Sequence, residues 1–321
     1  MINQLYQVYG RRYENLVYDV FMFFIDRSTS SKYGKQLINA SIRESLNYKC
    51  VMDFVLSNDK IYRRDGSPIQ PADVDNICHA LSNANLLSRV EIPFNRNVDG
   101  MFNFYFGYDR GLNKIPKEIL ITRLNSIVYG FQYIYENFKK YVFQITVKND
   151  EGKEGSGTCF LTVAGLVTAR HCLEDFDHFS VDGGVTFNEI NKTEIIYHDK
   201  ADIALISPHH HGLGTGFIFG KELVLSNVIA MGYPRVSGFS NFLNGTVGTV
   251  TSIERSYLTG IDLMLITCPV RGGNSGGPLI NEYGEVVGVI TDLPYSENNE
   301  IYYDNFGYGI ATPIKYLQDI I

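Results

Sequence analysis

The sequence predicts an α+β multidomain chain, with a mostly helical domain over residues 1–138 followed by an all-β domain over residues 139–321. Up to about residue 138, apolar residues recur mainly at helical spacing, whereas from Tyr141 onward short apolar strands alternate with glycine-containing turns. The charge changes at the same place. Residues 1–140 carry 18 Lys and Arg against 14 Asp and Glu, and residues 141–321 carry 10 against 21. Net charges of +4 and −11 indicate two modules with different partners.

Composition places the chain among globular proteins. It has 321 residues, 45% of them hydrophobic and 20% charged, which is enough for two packed cores. The most apolar early stretch, residues 16–25, contains Asp19 and is too short to cross a bilayer, and the first residues do not resemble a signal peptide. Five scattered cysteines predict neither a disulfide framework nor a cysteine-rich metal site. These features predict a cytoplasmic protein without membrane attachment.

The N-terminal domain is expected to contain three helices followed by a β-hairpin. Apolar residues at helical spacing predict the helices over residues 13–24, 41–55 and 71–87. The hairpin strands are predicted over residues 87–93 and 101–108. Their turn ends in Asp99-Gly100, a dipeptide typical of hairpins. A long helix is predicted after them, over residues 116–141.

This order of elements resembles a winged helix-turn-helix, over roughly residues 10–110 and without a signature motif. The resemblance implies that the third helix enters a DNA major groove. Phosphates would then meet Lys60, Arg63, Arg64, Arg89 and Arg96. Asp73 and Asp75 on the third helix, and the small net charge, oppose nucleic acid as the partner. The residues therefore favour a regulatory or protein-binding module over a DNA-binding one, and a plain helical support remains the third interpretation.

In the second domain, Ser275 stands between paired glycines in Gly272-Gly273-Asn274-Ser275-Gly276-Gly277. Glycine permits backbone conformations that are closed to other residues, and it lets a substrate carbonyl approach backbone N–H groups. A serine nucleophile with an oxyanion hole needs both properties. A glycine turn with an uninvolved serine would have the same sequence, so the interpretation depends on a base and an acid elsewhere.

His171 and Asp202 supply that base and acid. His171 follows an apolar strand, and Asp202 precedes the apolar residues 203–206. A serine hydroxyl is a poor nucleophile until a neutral imidazole takes its proton, and a carboxylate fixes the tautomer and orientation of that imidazole. Alone, each residue would be an ordinary half-buried histidine or solvated aspartate. Together with Ser275 they predict a catalytic triad.

Seven motifs in the second domain resemble the trypsin/chymotrypsin-fold serine proteases, and most closely their HtrA (Deg)-type and bacterial trypsin-like branch. In order and spacing they are GSGTCFL (155–161), TARHC (168–172), DIALI (202–206), MGYP (231–234), GGNSGGPL (272–279), GEVVGV (284–289) and GIATPI (309–314). The resemblance implies two six-stranded β-barrels with the active site in the crevice between them. It also implies a serine endopeptidase that cleaves proteins or peptides without a metal or other cofactor. The PDZ domain that usually follows in HtrA proteases is expected to be absent.

The resemblance assigns roles residue by residue. His171 would be the general base and then the acid, Asp202 would orient it, and Ser275 would form the acyl-enzyme. The backbone N–H groups of Gly273 and Ser275 would form the oxyanion hole. The substrate pocket would be lined by Pro269, Val270, Ile290, Thr291 and Gly309. Without an acid at its base, this pocket implies a small or medium apolar residue at the cleaved position.

Departures from the family pattern carry further expectations. Asn274 replaces the aspartate that pairs with a freed N-terminus in trypsin-like zymogens, so that mode of activation is not expected. The disulfide partner of Cys172 in secreted relatives would align near Ser156, which makes a Cys159–Cys172 bond doubtful. Arg170 replaces a usually small residue and would contact substrate, a neighbouring loop or solvent. The run His209–His211 lies in a polar loop and is interpreted as solvated histidines, with no metal site.

The resulting prediction is a cytoplasmic serine endopeptidase controlled by its N-terminal module, through which a regulatory protein partner would bind. The first alternative is a DNA- or partner-binding regulator whose protease domain cleaves itself or one dedicated substrate. The second is a catalytically idle scaffold with a protease fold.

Overall fold

The computed structural model describes the following parts of the chain: residues 2–9, 13–26, 28, 48–58, 60–63, 65–90, 103–108, 111, 114–182, 195–206, 216–257, 259–291 and 308–321. It divides into two compact units between Tyr133 and Ile134. The predicted domain boundary lies a few residues later, after residue 138. Some predicted features fall outside the described residues. They are the start of the second helix (41–47), the hairpin turn that contains Arg96, the single residue Arg64, and the run His209–His211.

The first unit combines short helices with a small antiparallel sheet. Its helices are α1 (Ile2–Tyr9), α2 (Leu16–Ile25), α3 (Val51–Ser57), α4 (Pro71–Asn83) and the first part of α5 (Lys117–Phe138). Its strands are β1 (Lys49–Cys50), β2 (Leu87–Val90) and β3 (Phe104–Gly107), in the order β1-β3-β2. The predicted hairpin strands are therefore paired, in a register that runs from Leu87 opposite Gly107 to Val90 opposite Phe104.

Apolar residues at helical spacing explain α2 and α4. The buried side chains of α2 are Leu16, Val17, Val20, Phe21 and Phe24, and the buried apolar ones of α4 are Val74, Ile77, Cys78, Ala80 and Leu81. Pro71 occupies the first turn of α4, where its missing N–H costs nothing. The prediction that this helix reaches residue 87 is wrong, because the chain turns at Asn85, with a left-handed φ of 58°, into β2. Helix α1 was not predicted from the sequence.

The two acids on α4 point into the first unit. The Tyr9 hydroxyl donates a hydrogen bond to Asp73 at 2.5 Å, and the Arg63 guanidinium pairs with the same carboxylate at 3.3 Å. Asp75 accepts hydrogen bonds from Asn103 and Tyr105, both at 2.8 Å. These carboxylates are thus internally paired, and they contribute less exposed negative charge than the sequence suggested.

The second unit contains two six-stranded antiparallel arrangements. The first is a sheet in the order β7-β4-β5-β6-β9-β8, formed by β4 (Val142–Lys148), β5 (Glu154–Thr162), β6 (Gly165–Thr168), β7 (His178–Asp182), β8 (Ile195–Tyr197) and β9 (Ala204–Ile206). The second is a closed barrel in the order β10-β11-β12-β15-β14-β13, formed by β10 (Asn227–Gly232), β11 (Asn244–Arg255), β12 (Asp262–Ile266), β13 (Pro278–Asn281), β14 (Val286–Thr291) and β15 (Gly309–Pro313).

The trypsin-like β-barrel fold implied by the motifs is confirmed, with two differences in detail. Hydrogen bonds between the described strands close only the second arrangement, so the first is a sheet here and not a complete barrel. Strand β7 was not predicted, because only Phe179 and Val181 of its residues are apolar and the run is short. Both side chains belong to the core of the first sheet.

Helix α5 ends at Phe138, shorter than the predicted span to residue 141, and Gly130 interrupts it with φ 69° and ψ −159°. The chain then passes through a 3₁₀ turn, Lys139–Tyr141, into β4. None of the described helices is both long and apolar enough to cross a membrane.

Candidate active site

His171 and Asp202 are brought together by the pairing of β6 with β9. Thr168 at the end of β6 lies opposite Ala204 at the start of β9, so the residues just beyond these two positions are neighbours. His171 sits in a 3₁₀ turn, Arg170–Cys172, directly after β6. Its Nδ1 lies 2.6 Å from Asp202 Oδ2, and its backbone N–H donates to Asp202 Oδ1 at 2.9 Å. One carboxylate therefore fixes both the ring and the main chain of the histidine.

The electrostatics of the pair favour an ionised aspartate. Burial raises the pKa of the Asp202 carboxyl, but hydrogen bonds from His171 and Thr291 outweigh burial and lower it below its ordinary value. Burial likewise opposes the charged form of His171. The hydrogen bond to Asp202, and the contact with Cys172, more than offset it and raise the pKa of the imidazole. Asp202 thus stabilises the imidazolium that a general base forms when it accepts a proton.

Thr291 also contributes to this arrangement. Its hydroxyl donates a hydrogen bond to Asp202 Oδ2, and its side chain is buried. The resemblance placed Thr291 in the wall of the substrate pocket. The structure instead places its hydroxyl on the carboxylate that holds the histidine.

Ser275 lies in the turn between β12 and β13, and this turn is held by Thr158 of β5. The Thr158 N–H donates to the carbonyl of Ser275 at 2.9 Å, and the Thr158 hydroxyl donates to the carbonyl of Gly273 at 2.7 Å. The same hydroxyl accepts a hydrogen bond from the N–H of Tyr233 at 2.9 Å. Thr158 is fully buried, so these groups are paired away from water. Thr158 thereby fixes the serine turn on the first sheet.

Gly273 has a φ of 97°, a conformation that side chains other than glycine rarely adopt. A Cβ atom at this position would lie 2.3 Å from the carbonyl oxygen of Tyr233. No described residue accepts a hydrogen bond from the Gly273 N–H. The donor assigned to the oxyanion hole is thus not used within the described chain.

His171 and Ser275 face a common cleft of about 230 Å³. The other residues that line it are Val147, Gly155, Ser156, Cys172, Phe176, Arg235, Gly272 and Gly273. This lining joins the base, the nucleophile and both residues of the expected oxyanion hole, while Asp202 contacts the histidine through Nδ1.

The predicted pocket residues lie elsewhere. Val270 approaches Gly309 so closely that a Cβ atom there would lie 2.6 Å from the Val270 side chain, and Ile290 is buried in the barrel core against which Val270 packs. These three residues are neighbours. Pro269 is exposed, and its carbonyl accepts a hydrogen bond from Thr246 at 3.2 Å. None of the five predicted pocket residues lines the 230 Å³ cleft.

A family model described as a trypsin-like peptidase domain matches residues 155–289, which include His171, Asp202 and Ser275. The chain carries a trypsin-like serine endopeptidase domain. This match and the relatives below confirm the resemblance inferred from the motifs.

The relatives of the endopeptidase domain include Do-like and DegP-like serine proteases. Protease Do-like 2, chloroplastic, of Arabidopsis thaliana is 29% identical over 168 residues, which cover 50% of this chain and 26% of the relative. A probable periplasmic serine endoprotease, DegP-like, of Pseudomonas fluorescens is 30% identical over 175 residues, 52% of this chain and 34% of the relative. The chain therefore spans about a quarter to a third of the length of these relatives. Among solved structures, the Rv3671c protease of M. tuberculosis, active form, shares 21% identity over 58% of this chain and 82% of that chain, with a TM-score of 0.48.

Two positioning residues of the endopeptidase domain lie around the aspartate. The Arg170 guanidinium pairs with Glu174 at 2.6 Å and donates to the carbonyls of His198 and Asp199 at 3.1 and 3.3 Å. Arg170 was expected to contact substrate, a neighbouring loop or solvent, and the structure shows contacts with the neighbouring loop. His198 Nδ1 accepts hydrogen bonds from the N–H groups of Lys200 and Ala201, and so shapes the turn that presents Asp202. The sequence held no signal for His198, because the groups that its Nδ1 binds are backbone N–H groups.

Cys172 is the cysteine nearest to the site. Its Sγ lies 3.7 Å from His171 Nε2 and 3.7 Å from the Ser275 carbonyl oxygen. A Cβ atom on Gly157, the residue after Ser156, would lie 2.8 Å from this sulfur, so Gly157 faces Cys172. None of the five cysteines, all within the described residues, forms a disulfide. No described cluster of three or more His, Cys, Asp or Glu side chains could hold a metal ion.

Replacing Thr158 with valine is expected to lower kcat/KM by about tenfold or more and the free energy of unfolding by about 1–3 kcal/mol. Valine keeps the shape but leaves the carbonyl of Gly273 and the N–H of Tyr233 without their buried partner. Peptide hydrolysis and urea unfolding measure the two effects. Thr146→Val, at an exposed position of β4, is the matched control. Equal behaviour of both variants would contradict the role of Thr158.

The activity should rise with pH through the raised pKa of His171, because only the neutral imidazole accepts the proton of Ser275. The acid limb of kcat/KM against pH is therefore expected at a higher pH than for a histidine with the ordinary pKa of 6.5. Cys172→Ala removes a group that favours the imidazolium, so it should move this limb to lower pH. Cys268→Ala, in the barrel core, serves as the control. An acid limb that Cys172→Ala leaves in place would contradict the assignment.

Proposed function

We propose that the endopeptidase domain hydrolyses peptide bonds through an acyl-enzyme on Ser275. The observation that carries this proposal is the 2.6 Å contact between His171 Nδ1 and Asp202, with the histidine facing the same cleft as Ser275. A histidine oriented by a carboxylate on one side and facing a serine on the other is the arrangement that activates a hydroxyl nucleophile.

The proposed chemistry has two stages, acylation and deacylation of Ser275. Ser275 Oγ attacks the substrate carbonyl while His171 takes its proton, and the N–H groups of Gly273 and Ser275 stabilise the oxyanion. His171 then gives the proton to the leaving amine, and the C–N bond breaks to leave the acyl-enzyme. Water, activated by the same histidine, hydrolyses the ester and restores Ser275. Asp202 remains ionised throughout and stabilises the imidazolium.

A fluorophosphonate probe and casein test this function on the purified chain. The wild type should bind the probe covalently and degrade casein, and Ser275→Ala should do neither. Probe labelling without casein turnover would favour the alternative of one dedicated substrate. Equal labelling of both proteins, or of neither, would refute the acyl-enzyme on Ser275. The catalytically idle scaffold would then be the remaining interpretation.

For the acyl side of the substrate, we propose a small or medium apolar residue at the cleaved bond. The cluster of Val270, Ile290 and Gly309 supports this preference, because none of the three carries charge and Ile290 is buried. A positional-scanning peptide library provides the measurement. Strongest cleavage after Lys, Arg or Glu would contradict the proposal.

We further propose that residues 1–138 form a winged-helix module that binds a regulatory protein partner. From α2 to β3 its described elements follow the order helix, strand, helix, helix, two strands, with a three-stranded sheet in the order β1-β3-β2. Because Asp73 and Asp75 are paired internally, their charge opposes nucleic-acid binding less than the sequence suggested. However, Arg63 pairs with Asp73 and Arg89 donates to Asn103, so these two cations are also occupied. Filter binding of the full Ser275→Ala chain to duplex DNA separates the two partners. Binding that falls steeply with salt would establish the DNA-binding alternative.

A cytoplasmic location is part of the same proposal. The absence of disulfides among five buried cysteines supports a reducing compartment. The name of the Pseudomonas relative states a periplasmic location for that protein. Fractionation of the native cell, with the chain found in the periplasmic or secreted fraction, would contradict the proposal.

A further inference from the structure

The residues that line the 230 Å³ cleft point to the leaving-group side of Ser275. His171 lines it, and this histidine must deliver its proton to the leaving amine. None of the residues expected to hold the acyl side, such as Val270 and Gly309, takes part in it. The part of a substrate that occupies this cleft is therefore the segment after the scissile bond.

One wall of the cleft is apolar. Val147 and Phe176 line it, and a Cβ atom on Gly155 would lie 2.8 and 3.0 Å from their side chains. Glycine at this position leaves room for both side chains, of which Phe176 is half-buried and Val147 is buried. This wall suits the aliphatic stem of a substrate side chain.

Arg235 gives the cleft a cationic part of its lining. Its backbone N–H donates to the carbonyl of Gly272 at 2.9 Å, which ties it to the serine turn. Its Nε donates to Ser156 Oγ at 2.8 Å, so the guanidinium is held against β5 while its two terminal NH₂ groups remain. Guanidinium groups bind carboxylates in a planar, two-point geometry.

The charge of Arg235 is not neutralised within the described chain. Lys148 at the end of β4 pairs with Glu154 at 3.4 Å, whereas no described carboxylate pairs with Arg235. The surrounding residues 141–321 carry a net charge of −11, which repels acidic substrates in general. A cation retained beside the nucleophile in such a domain marks a local site for an anion.

We propose that Arg235 makes the enzyme prefer a carboxylate within the first two residues after the scissile bond, with glutamate as the best match for a cleft whose lining has one apolar and one cationic part. The inference rests on the proposed function, because it names a specificity of the same site. A carboxylate can belong to an acidic side chain or to the free C-terminus of a short substrate. Arg235 is a specificity-determining residue in this proposal and has no part in the chemical step.

Matched peptides measure the preference. All share one acyl side and carry Glu, Gln or Lys at the first or second position after the bond, with an amidated C-terminus. A Gln peptide that ends in a free carboxylate at the second position tests the C-terminal source. Cleavage is followed by mass spectrometry, and each kcat/KM is normalised to the fraction of Ser275 that a fluorophosphonate labels.

Wild type should cleave one Glu peptide, or the free-carboxylate peptide, about fivefold faster than its neutral match, and added salt should reduce this ratio. Arg235→Gln should bring the ratio to about one, and Arg235→Glu should favour Lys in its place. Arg255→Gln, an equal charge change at the exposed end of β11, should retain the preference. A wild-type ratio of one, or a preference that survives Arg235→Gln, would overturn the proposal.

A binding measurement separates this inference from the proposed function. Fluorescently labelled leaving-side peptides with Glu or Gln are titrated onto the full Ser275→Ala chain, and onto its Arg235→Gln double variant, by fluorescence anisotropy. Tighter binding of the Glu peptide only when Arg235 is present supports the site even without turnover. Probe labelling of wild type with equal binding of Glu and Gln peptides would leave the proposed function intact and refute the role of Arg235.

Discussion

Replacing Asp202 with asparagine is expected to lower kcat about 10⁴-fold while the fold is retained. Asp202 accepts hydrogen bonds from the ring and the backbone of His171, at 2.6 and 2.9 Å. An asparagine amide in the same place offers one N–H₂ group, which makes His171 Nδ1 an acceptor and leaves the proton on Nε2. The imidazole then has no lone pair directed toward Ser275, so it cannot take the hydroxyl proton.

The measurement is kcat on a peptide substrate, corrected for the fraction of Ser275 that reacts with a fluorophosphonate. Asp199→Asn is the matched control, because Asp199 is an exposed carboxylate in the same turn and offers Arg170 only its backbone carbonyl. The control should keep kcat close to the wild type. An Asp202→Asn enzyme within tenfold of wild type would exclude Asp202 as the orienting carboxylate.

The second domain could be predicted well because its signals are local. Glycines around Ser275, and polar residues at strand ends, place reactive groups in turns whatever the rest of the chain does. The contacts of Thr158 depend instead on long-range pairing, since its partners, Gly273 and Tyr233, lie far along the sequence. The motif that contains Thr158 was visible in the sequence, but the reason for the threonine required the register of the sheet.

Thr291 and Arg235 also show what the sequence alone could not predict, in this case for residues that flank the substrate site. A resemblance fixes which residues flank a crevice, but not the direction of each side chain. Thr291 was expected in the pocket wall and donates to Asp202 instead. Arg235 was quoted in no motif, although it follows Met231–Pro234 directly, and its place beside Ser275 arises from the hydrogen bond of its backbone N–H to Gly272. The first unit was harder to predict, because its elements are short, and α1 has only 8 residues.

Gly276→Ala is expected to lower the free energy of unfolding by about 3–5 kcal/mol and the melting temperature by roughly 10 °C or more. Gly276 has a φ of 84°, and a Cβ atom there would lie 2.2 Å from both the Thr158 carbonyl oxygen and the Thr168 hydroxyl. These two groups are hydrogen-bonded to each other at 2.7 Å, so the methyl group would have to separate them. The turn that carries Ser275 would shift with them, which should reduce kcat about 10²-fold as well.

Gly272→Ala is the matched control in the same turn, because no atom lies within 4 Å of a Cβ atom built on Gly272. The same chemical change should there leave the melting temperature close to the wild type. Calorimetry and peptide hydrolysis on both variants separate a steric cause from a general intolerance of the turn to alanine. If Gly276→Ala has the same melting temperature as the wild type, the close packing of this turn against Thr158 and Thr168 is not what holds Ser275 in place. Loss of stability in Gly276→Ala alone would show that the glycine after the nucleophile is required by the backbone packing of β5 and β6, independently of any contact with substrate.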